Sequence, residues 1–209
     1  MSGRRDAIVA AAAKVFQEKG YHQSTTEDIA NEVGMLKGSL YYYIEKKEDL
    51  LYAVVEPPVR RMVLNLQEIA AMPCAASEKV ARMVAAHLET FDAHHPHIFV
   101  YLQELPQGRT LRLGDSAAAE LSRLGEQYRD LVAAIIAEGV RHGEFCADLD
   151  AQLAAFSLLG MCNWMHKWYR PTGRLKSREI AKTFAALLLH GLAGSREQRG
   201  DRAAGMVAE

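Results

Sequence analysis

From Arg4 to Lys19 the apolar residues Ala7, Ile8, Ala11, Ala12, Val15 and Phe16 share one stripe with charges opposite, and Gly20 stands where a left-handed cap would end the helix. The helical spacing returns at Ile29, Ala30 and Val33 after a polar gap. Ser24, Thr25 and Thr26 precede that second segment, with Glu27 or Asp28 three residues beyond the first two, so a capping box is predicted at its start. Gly34 then supplies the backbone freedom of a tight turn, and Met35, Leu40 and Tyr43 are placed to close a small core from a third helix. Adjacent helix positions cannot all face inward, which leaves Lys37, Gly38, Ser39, Tyr41 and Tyr42 as an outward row. Residues 26–43 therefore read as a helix-turn-helix. Its outer surface offers one cation, hydroxyl groups and a glycine that admits close backbone approach, chemistry suited to the major groove of duplex DNA.

Downstream the pattern stays helical to the end. A helix starting near Lys47 carries Leu50, Leu51 and Val54 before Pro57 and Pro58 remove two backbone donors and bias Glu56 away from helical angles, at a cost on the order of 3 kcal/mol for a straight helix. A kink or short break is predicted there. It would serve either as a hinge or simply as the start of a new helix, for which proline is well suited. Val59, Met62, Val63 and Leu66 resume the stripe; Val80, Met83, Val84, His87, Leu88 and Phe91 form the next, broken at His94 to Pro96. Ile98 to Leu105 follows, ending at Pro106-Gln107-Gly108, and Ser116 is placed to cap a long helix through Leu121, Leu124, Tyr128, Leu131, Ile135 and Ile136 to Gly143. Two further helices are expected over 150–169 and 177–192. The predicted architecture is all-α: a helix-turn-helix head over 1–55, a larger helical domain over 56–194, and a disordered tail over 195–209, rich in Gly, Ala and charge.

The last two helices carry wide apolar faces, Phe156, Leu159 and Gly160 on one and Ile180, Phe184, Leu187 and Leu188 on the other, beside small residues such as Ala154 and Ala185. That combination suits a four-helix bundle built from two helices of each of two subunits. A dimer also has a physical use, because one short helix touches few base pairs and two related by a twofold axis double the phosphate contacts.

Composition narrows the class. With 49% hydrophobic and 24% charged residues the chain is an ordinary globular one, and no apolar run is long enough for a bilayer or placed as a signal peptide. Net charge is −1, and residues 1–52 hold seven Lys or Arg against eight Asp or Glu, so nucleic-acid binding would depend on where charges sit rather than on a basic excess. Three widely spaced cysteines, Cys74, Cys146 and Cys162, argue for a reducing compartment, and a cytoplasmic location is expected.

The order of Phe16, Gly20-Tyr21, Thr25-Thr26, Ile29-Ala30, Val33-Gly34, Lys37-Gly38-Ser39-Leu40-Tyr41-Tyr42-Tyr43 and Lys47-Glu48-Asp49-Leu50-Leu51 resembles the TetR family of transcriptional regulators. The resemblance implies a homodimer whose N-terminal heads bind a palindromic operator and whose variable second domain binds a small molecule, most often as a repressor. It further implies that Lys37, Ser39 and Tyr41 face bases and that Thr26, Tyr42 and Lys47 hold phosphates. Gly38 would let backbone approach, and either Thr25 or Thr26 is placed at a helix N-terminus that favours anions. Two positions depart from the family pattern: Leu36 stands where a serine or threonine usually caps the recognition helix, and Lys46 where a serine or asparagine often caps the fourth. Each lost cap costs typically ~1 kcal/mol, while Lys46 adds a cation near the expected backbone.

The run Trp168-Tyr169-Arg170-Pro171-Thr172-Gly173 is similar to endings found in TetR-type regulators that respond to coenzyme A thioesters. Met62, Leu66, Leu88, Phe91, Phe99, Leu102 and Tyr128 would enclose an acyl chain, Trp164 or Trp168 would stack on adenine, and Lys167 and Arg170 would pair with phosphates. An alternative treats His94, His95 and His97, with His87, His142 or Cys146, as a metal site, or Cys146 and Cys162 as redox sensors. No cofactor is expected. No phosphate-cradling loop or nucleophile motif supports an enzyme, and a helical partner-binding protein would leave the outward row unexplained.

Overall fold

The structure is a computed structural model that describes residues 2–104 and 115–193. The helix stop expected at Pro106-Gln107-Gly108 and the tail over 195–209 lie outside the described residues. In chain order the helices are α1 (Ser2–Lys19), α2 (Thr26–Val33), α3 (Lys37–Leu40), α4 (Lys47–Ala70), α5 (Ala76–Ala93), α6 (His97–Glu104), α7 (Asp115–Arg141), α8 (Ala151–Asn163) and α9 (Ser177–Ala193), with a 3-10 turn at Trp164–Lys167. No strand occurs among the described residues.

Two compact units form, Met1–Val63 with Thr90–Glu126, and Leu64–Glu89 with Gln127–Glu209. The first is organised around Ile8, Ala12 and Phe16 of α1, Ile29 and Ala30 of α2, Leu40 of α3 and Leu50, Leu51 and Val54 of α4, all buried. Val100 of α6 and Leu121 of α7 belong to the same core. Residues 90–104 and 115–126 therefore group with the head, since Val100 and Leu121 complete the core that α1 to α4 begin.

The expected break at Pro57 and Pro58 does not occur: α4 runs through both. Val54, Val55, Val59 and Val63 are buried along one face, and burial of each contributes roughly 1.5–3 kcal/mol, enough to outweigh the helical cost of the prolines. The boundary expected after residue 55 thus falls inside a continuous helix.

In the second unit Val80, Met83, Val84 and Leu88 of α5, Val132, Ile135 and Ile136 of α7, Leu158 of α8 and Ile180 of α9 are buried. Gly139 of α7 is where the Phe145 ring packs: a Cβ there would lie 2.3 Å from the ring, so only glycine admits the contact. Glu144 in turn closes the start of α5, its carboxylate accepting from the Ala76 and Ser77 amides at 2.9 Å each, which holds it below the usual carboxylate range. Beyond Asn163 the chain tightens into the 3-10 turn, so the helix expected to reach residue 169 ends six residues early.

Candidate nucleic-acid interface

The capping box at the start of α2 forms between Thr25 and Asp28. The Asp28 amide donates to Thr25 Oγ1 at 3.1 Å, the Thr25 amide donates to Asp28 Oδ2 at 2.8 Å, and Lys19 pairs with Asp28 Oδ1 at 2.6 Å. These donors lower the Asp28 carboxyl to about 2, the Lys19 hydrogen bond contributing most. At the other end Gly34 adopts φ 72° and ψ 45°, a left-handed conformation that disfavours any side chain. The Met35 amide donates to the Ala30 carbonyl at 2.9 Å, closing the turn.

The recognition segment is shorter than the spacing predicts. α3 spans Lys37–Leu40, and Leu36 before it makes no side-chain cap, as the missing hydroxyl implies. Because the helix is not continued, the inward position shifts: Leu40 and Ile44 are buried while Tyr43 is exposed and Met35 half-buried. The outward row is otherwise as expected. Lys37, Gly38, Tyr41 and Tyr42 are exposed, Tyr42 at 88%, and Ser39 is half-buried. Lys37 lies 3.7 Å from Glu27, and the hydroxyls of Thr26 and Tyr41 are hydrogen-bonded at 3.2 Å, which ties the start of α2 to the end of α3.

At the start of α4 the lost serine or asparagine cap is replaced from within the helix. Asp49 Oδ2 accepts from the Lys46 amide at 3.0 Å and the Glu45 amide at 3.2 Å, a role signalled by its place three residues after Lys46. Lys46 is exposed. Lys47 is not: its ammonium donates to the Tyr21 carbonyl at 2.7 Å and the Ser24 carbonyl at 2.8 Å, and sits 4.2 Å from the centre of the Tyr21 ring. Partial burial lowers its pKa. The phosphate role implied for Lys47 thus meets a side chain already spent on its own protein.

An open cleft of about 940 Å³ also lies in the first unit, bounded by Arg5, Lys46, Tyr52, Pro57, Arg60 and Glu120 among others. Arg60 pairs with Glu56, and with Glu120 at 2.7 Å, while Arg123 donates to Glu120 at 2.8 Å and holds its carboxyl near 2. The Arg60 and Arg123 charges are thus met by Glu56 and Glu120 rather than left for an anion.

The residues expected to bind effector are divided between the two units. In the first, Phe91, Phe99 and Leu102 are buried, the two rings meeting edge-on at 5.6 Å, and Met62 is half-buried. In the second, Leu66, Leu88 and Tyr128 are buried, whereas Trp164, Lys167, Trp168 and Arg170 are exposed. Trp164, 61% exposed, continues a surface stripe of α8 made by Leu153, Phe156 and Gly160. On α9 Leu187 is 63% exposed and Phe184 and Leu188 are half-buried, and Leu159 on α8 is likewise half-buried. Ile180 is a correction: it is buried within its own unit, because the start of α9 packs inward and only its later turns present an apolar face.

The histidines do not converge. His95 Nε2 meets Gln17 at 2.8 Å and its ring packs on Phe99, while His87 is buried between Tyr128 and Asn163 at 3.0 Å each. Among the described residues no three His, Cys, Asp or Glu side chains are placed to hold a metal ion. Burial pushes the Cys162 thiol up to about 12, away from the thiolate a redox sensor needs.

Residues 8–54 match the family model described as bacterial regulatory proteins, tetR family, and residues 73–192 match the tetracyclin repressor-like C-terminal domain. The HTH-type transcriptional repressor KstR2 of Rhodococcus jostii (strain RHA1) is 30% identical, with 92% of each chain covered. The chain belongs to the TetR family. Among solved TetR-type structures, the fatty acid degradation regulator FadR from Bacillus halodurans superposes with a TM-score of 0.70 at 27% identity, covering 90% of this chain and 98% of that one. AibR, solved with isovaleryl coenzyme A and operator DNA, shares the fold with a TM-score of 0.77 at 24% identity, covering 89% and 98%. As a TetR-family protein the chain is a transcriptional regulator and not an enzyme, and the metal-sensing alternative gains no support. Among the described residues no helix is long and apolar enough to cross a membrane.

Proposed function

We propose that this TetR-family regulator is a cytoplasmic homodimeric repressor that grips an inverted-repeat operator and releases it on binding a small hydrophobic effector. The exposed row on and after α3, set beyond a capped α2 and the left-handed Gly34 turn, carries the reading. In it Lys37, Ser39 and Tyr41 face base edges, Gly38 lets backbone approach, and Thr25, Thr26, Tyr42 and Lys46 meet phosphates. Specific binding to such a duplex is expected to weaken steeply with added salt. Lys37→Ala should weaken specific binding by about tenfold or more, given ~1–3 kcal/mol for a good base contact, in a fluorescence titration against the selected duplex. Equal affinity of the wild-type protein for random and inverted-repeat DNA would sink the reading.

Phe156, Leu159, Gly160, Phe184, Leu187 and Leu188, extended by Leu153 and Trp164, form the face by which two subunits join. Large apolar side chains exposed on two successive helices are what a subunit interface leaves uncovered in a single chain. The double variant Phe156→Glu with Leu187→Glu should sediment as a monomer and lose about a hundredfold or more in operator affinity, because the second head no longer binds at high effective concentration. A variant that stays dimeric would assign the interface elsewhere.

The effector is an acyl-coenzyme A thioester. Leu66, Leu88 and Tyr128 supply apolar walls in the second unit, Trp168 an exposed ring for adenine, and Lys167 and Arg170 cations for phosphates. The likeness to a fatty acid degradation regulator fits an effector drawn from acyl-chain metabolism. Effector binding shifts the dimer toward a state with lower operator affinity by its own preference for that state.

A further inference from the structure

We propose that Lys47 is a positioning residue of the head, a strut that sets where α2 begins, and not a phosphate ligand. The inference rests on the operator-binding reading given above. The ammonium has three N–H groups, and two of them are committed to the backbone carbonyls of Tyr21 and Ser24 at 2.7 and 2.8 Å while its charge lies over the Tyr21 ring at 4.2 Å. Charge-assisted bonds of this kind are the strong ones, and they leave the side chain folded back against the protein rather than extended into solvent.

What Lys47 holds decides what it does. Tyr21 and Ser24 bracket the turn between α1 and α2, and the next residue, Thr25, is the cap of α2. The turn is braced from within as well, since buried Ser24 donates its hydroxyl to the Tyr21 carbonyl at 2.7 Å and the Tyr21 ring meets Phe16 edge-on at 5.3 Å. One side chain thereby fastens the first turn of α4 to the segment that aims Thr25 and Thr26, and through the Thr26 to Tyr41 hydrogen bond to the end of α3. Swinging Lys47 out to a phosphate would strip two carbonyls of a charged donor. Lys46, exposed on the same helix start, is the cation free to meet the backbone of DNA.

The two roles separate in a titration. An inverted-repeat duplex selected by the wild-type protein from random DNA, and a random duplex of equal length, would be titrated with wild type, Lys46→Gln, Lys47→Gln and Lys47→Arg over a range of salt. Loss of a phosphate contact lowers the salt slope by about one and weakens both duplexes alike. Loss of a strut misaims the reading surface, so Lys47→Gln should bind the selected duplex about tenfold more weakly with its slope unchanged and bind the random duplex almost as before. Lys46→Gln should show the opposite pattern, and Lys47→Arg, which keeps the donors and the charge, should restore specificity. Amide exchange in the DNA-free protein adds a readout independent of binding: residues 21–28 should exchange faster in Lys47→Gln and not in Lys46→Gln. A slope lowered by about one in Lys47→Gln, or exchange at residues 21–28 left unchanged, overturns the inference alone. Absence of any preference in the wild type overturns the operator reading and this inference with it.

Discussion

Phe16→Ala is expected to destabilise the first unit by about 3–5 kcal/mol and to abolish operator binding, the largest effect of any single truncation in the head. The Phe16 side chain is wholly buried, packs edge-on against Tyr21, and belongs to the core that α1, α2, α3 and α4 share with Val100 and Leu121. Removing the ring forfeits its transfer energy and leaves a void that helices anchored at both ends cannot collapse into. Typical domains are stable by only 5–15 kcal/mol, so the loss consumes a large part of the margin. The consequence for function is steeper than for folding. The α1 to α2 turn rests on Phe16 through Tyr21, and α2 and α3 lose their aim once that turn moves. Urea unfolding followed by circular dichroism, beside operator titration, tests this; a shift under ~1 kcal/mol with affinity intact would show that the ring is not part of the supporting core.

The second large effect is a loss of stability on acidification that traces to His87. Its ring is buried in the second unit, where desolvation drops the pKa to about 4, against an ordinary value of 6.5, the Asn163 hydrogen bond opposing only part of the drop. A neutral imidazole has one donor and one acceptor, so Nε2–H donates to Asn163 Oδ1 and the Tyr128 hydroxyl donates to Nδ1, each at 3.0 Å. Nearby Cys162 and Tyr128 are also held neutral by burial, both pKa values raised. Above pH 6.5 folded and unfolded chains both carry neutral His87, and the full contribution is present. As pH falls from 6.5 toward 4 the unfolded chain binds a proton that the folded chain refuses, and stability falls by about 3 kcal/mol across that window. Carboxylates titrate at its lower edge, so the comparison is with His87→Gln, in which the slope of stability against pH between 6.5 and 5 should be shallower by about one proton. Trp164 and Trp168 both lie in the second unit and report its unfolding by fluorescence. Parallel pH profiles for variant and wild type would place the acid sensitivity elsewhere.

The amino-acid order by itself determined the elements whose causes are local. The Thr25 and Asp28 capping box, the Gly34 turn, the uncapped start of α3 at Leu36 and the exposed row from Lys37 to Tyr42 all follow from residues within a few positions of one another, where backbone sterics and short hydrogen bonds decide. The exposed apolar faces of α8 and α9 were legible for the same reason, since a 3.6-residue period marks which side needs covering. Tertiary structure decided the rest. Pro57 and Pro58 stay inside one helix because four buried valines outweigh two missing donors, a balance that depends on what the helix packs against. Ile180 turns inward and Tyr43 outward through the same dependence on neighbours. Lys47 reads as an exposed cation in any linear pattern, yet its ammonium finds two carbonyls 23 and 26 residues earlier in the chain, and no local spacing encodes a meeting set by how helices cross. His87, one of several histidines in the sequence, becomes a neutral buried link between Tyr128 and Asn163 only when α5, α7 and α8 bring them within 3.0 Å. Periodicity states which residues leave water; only packing states which of them meet.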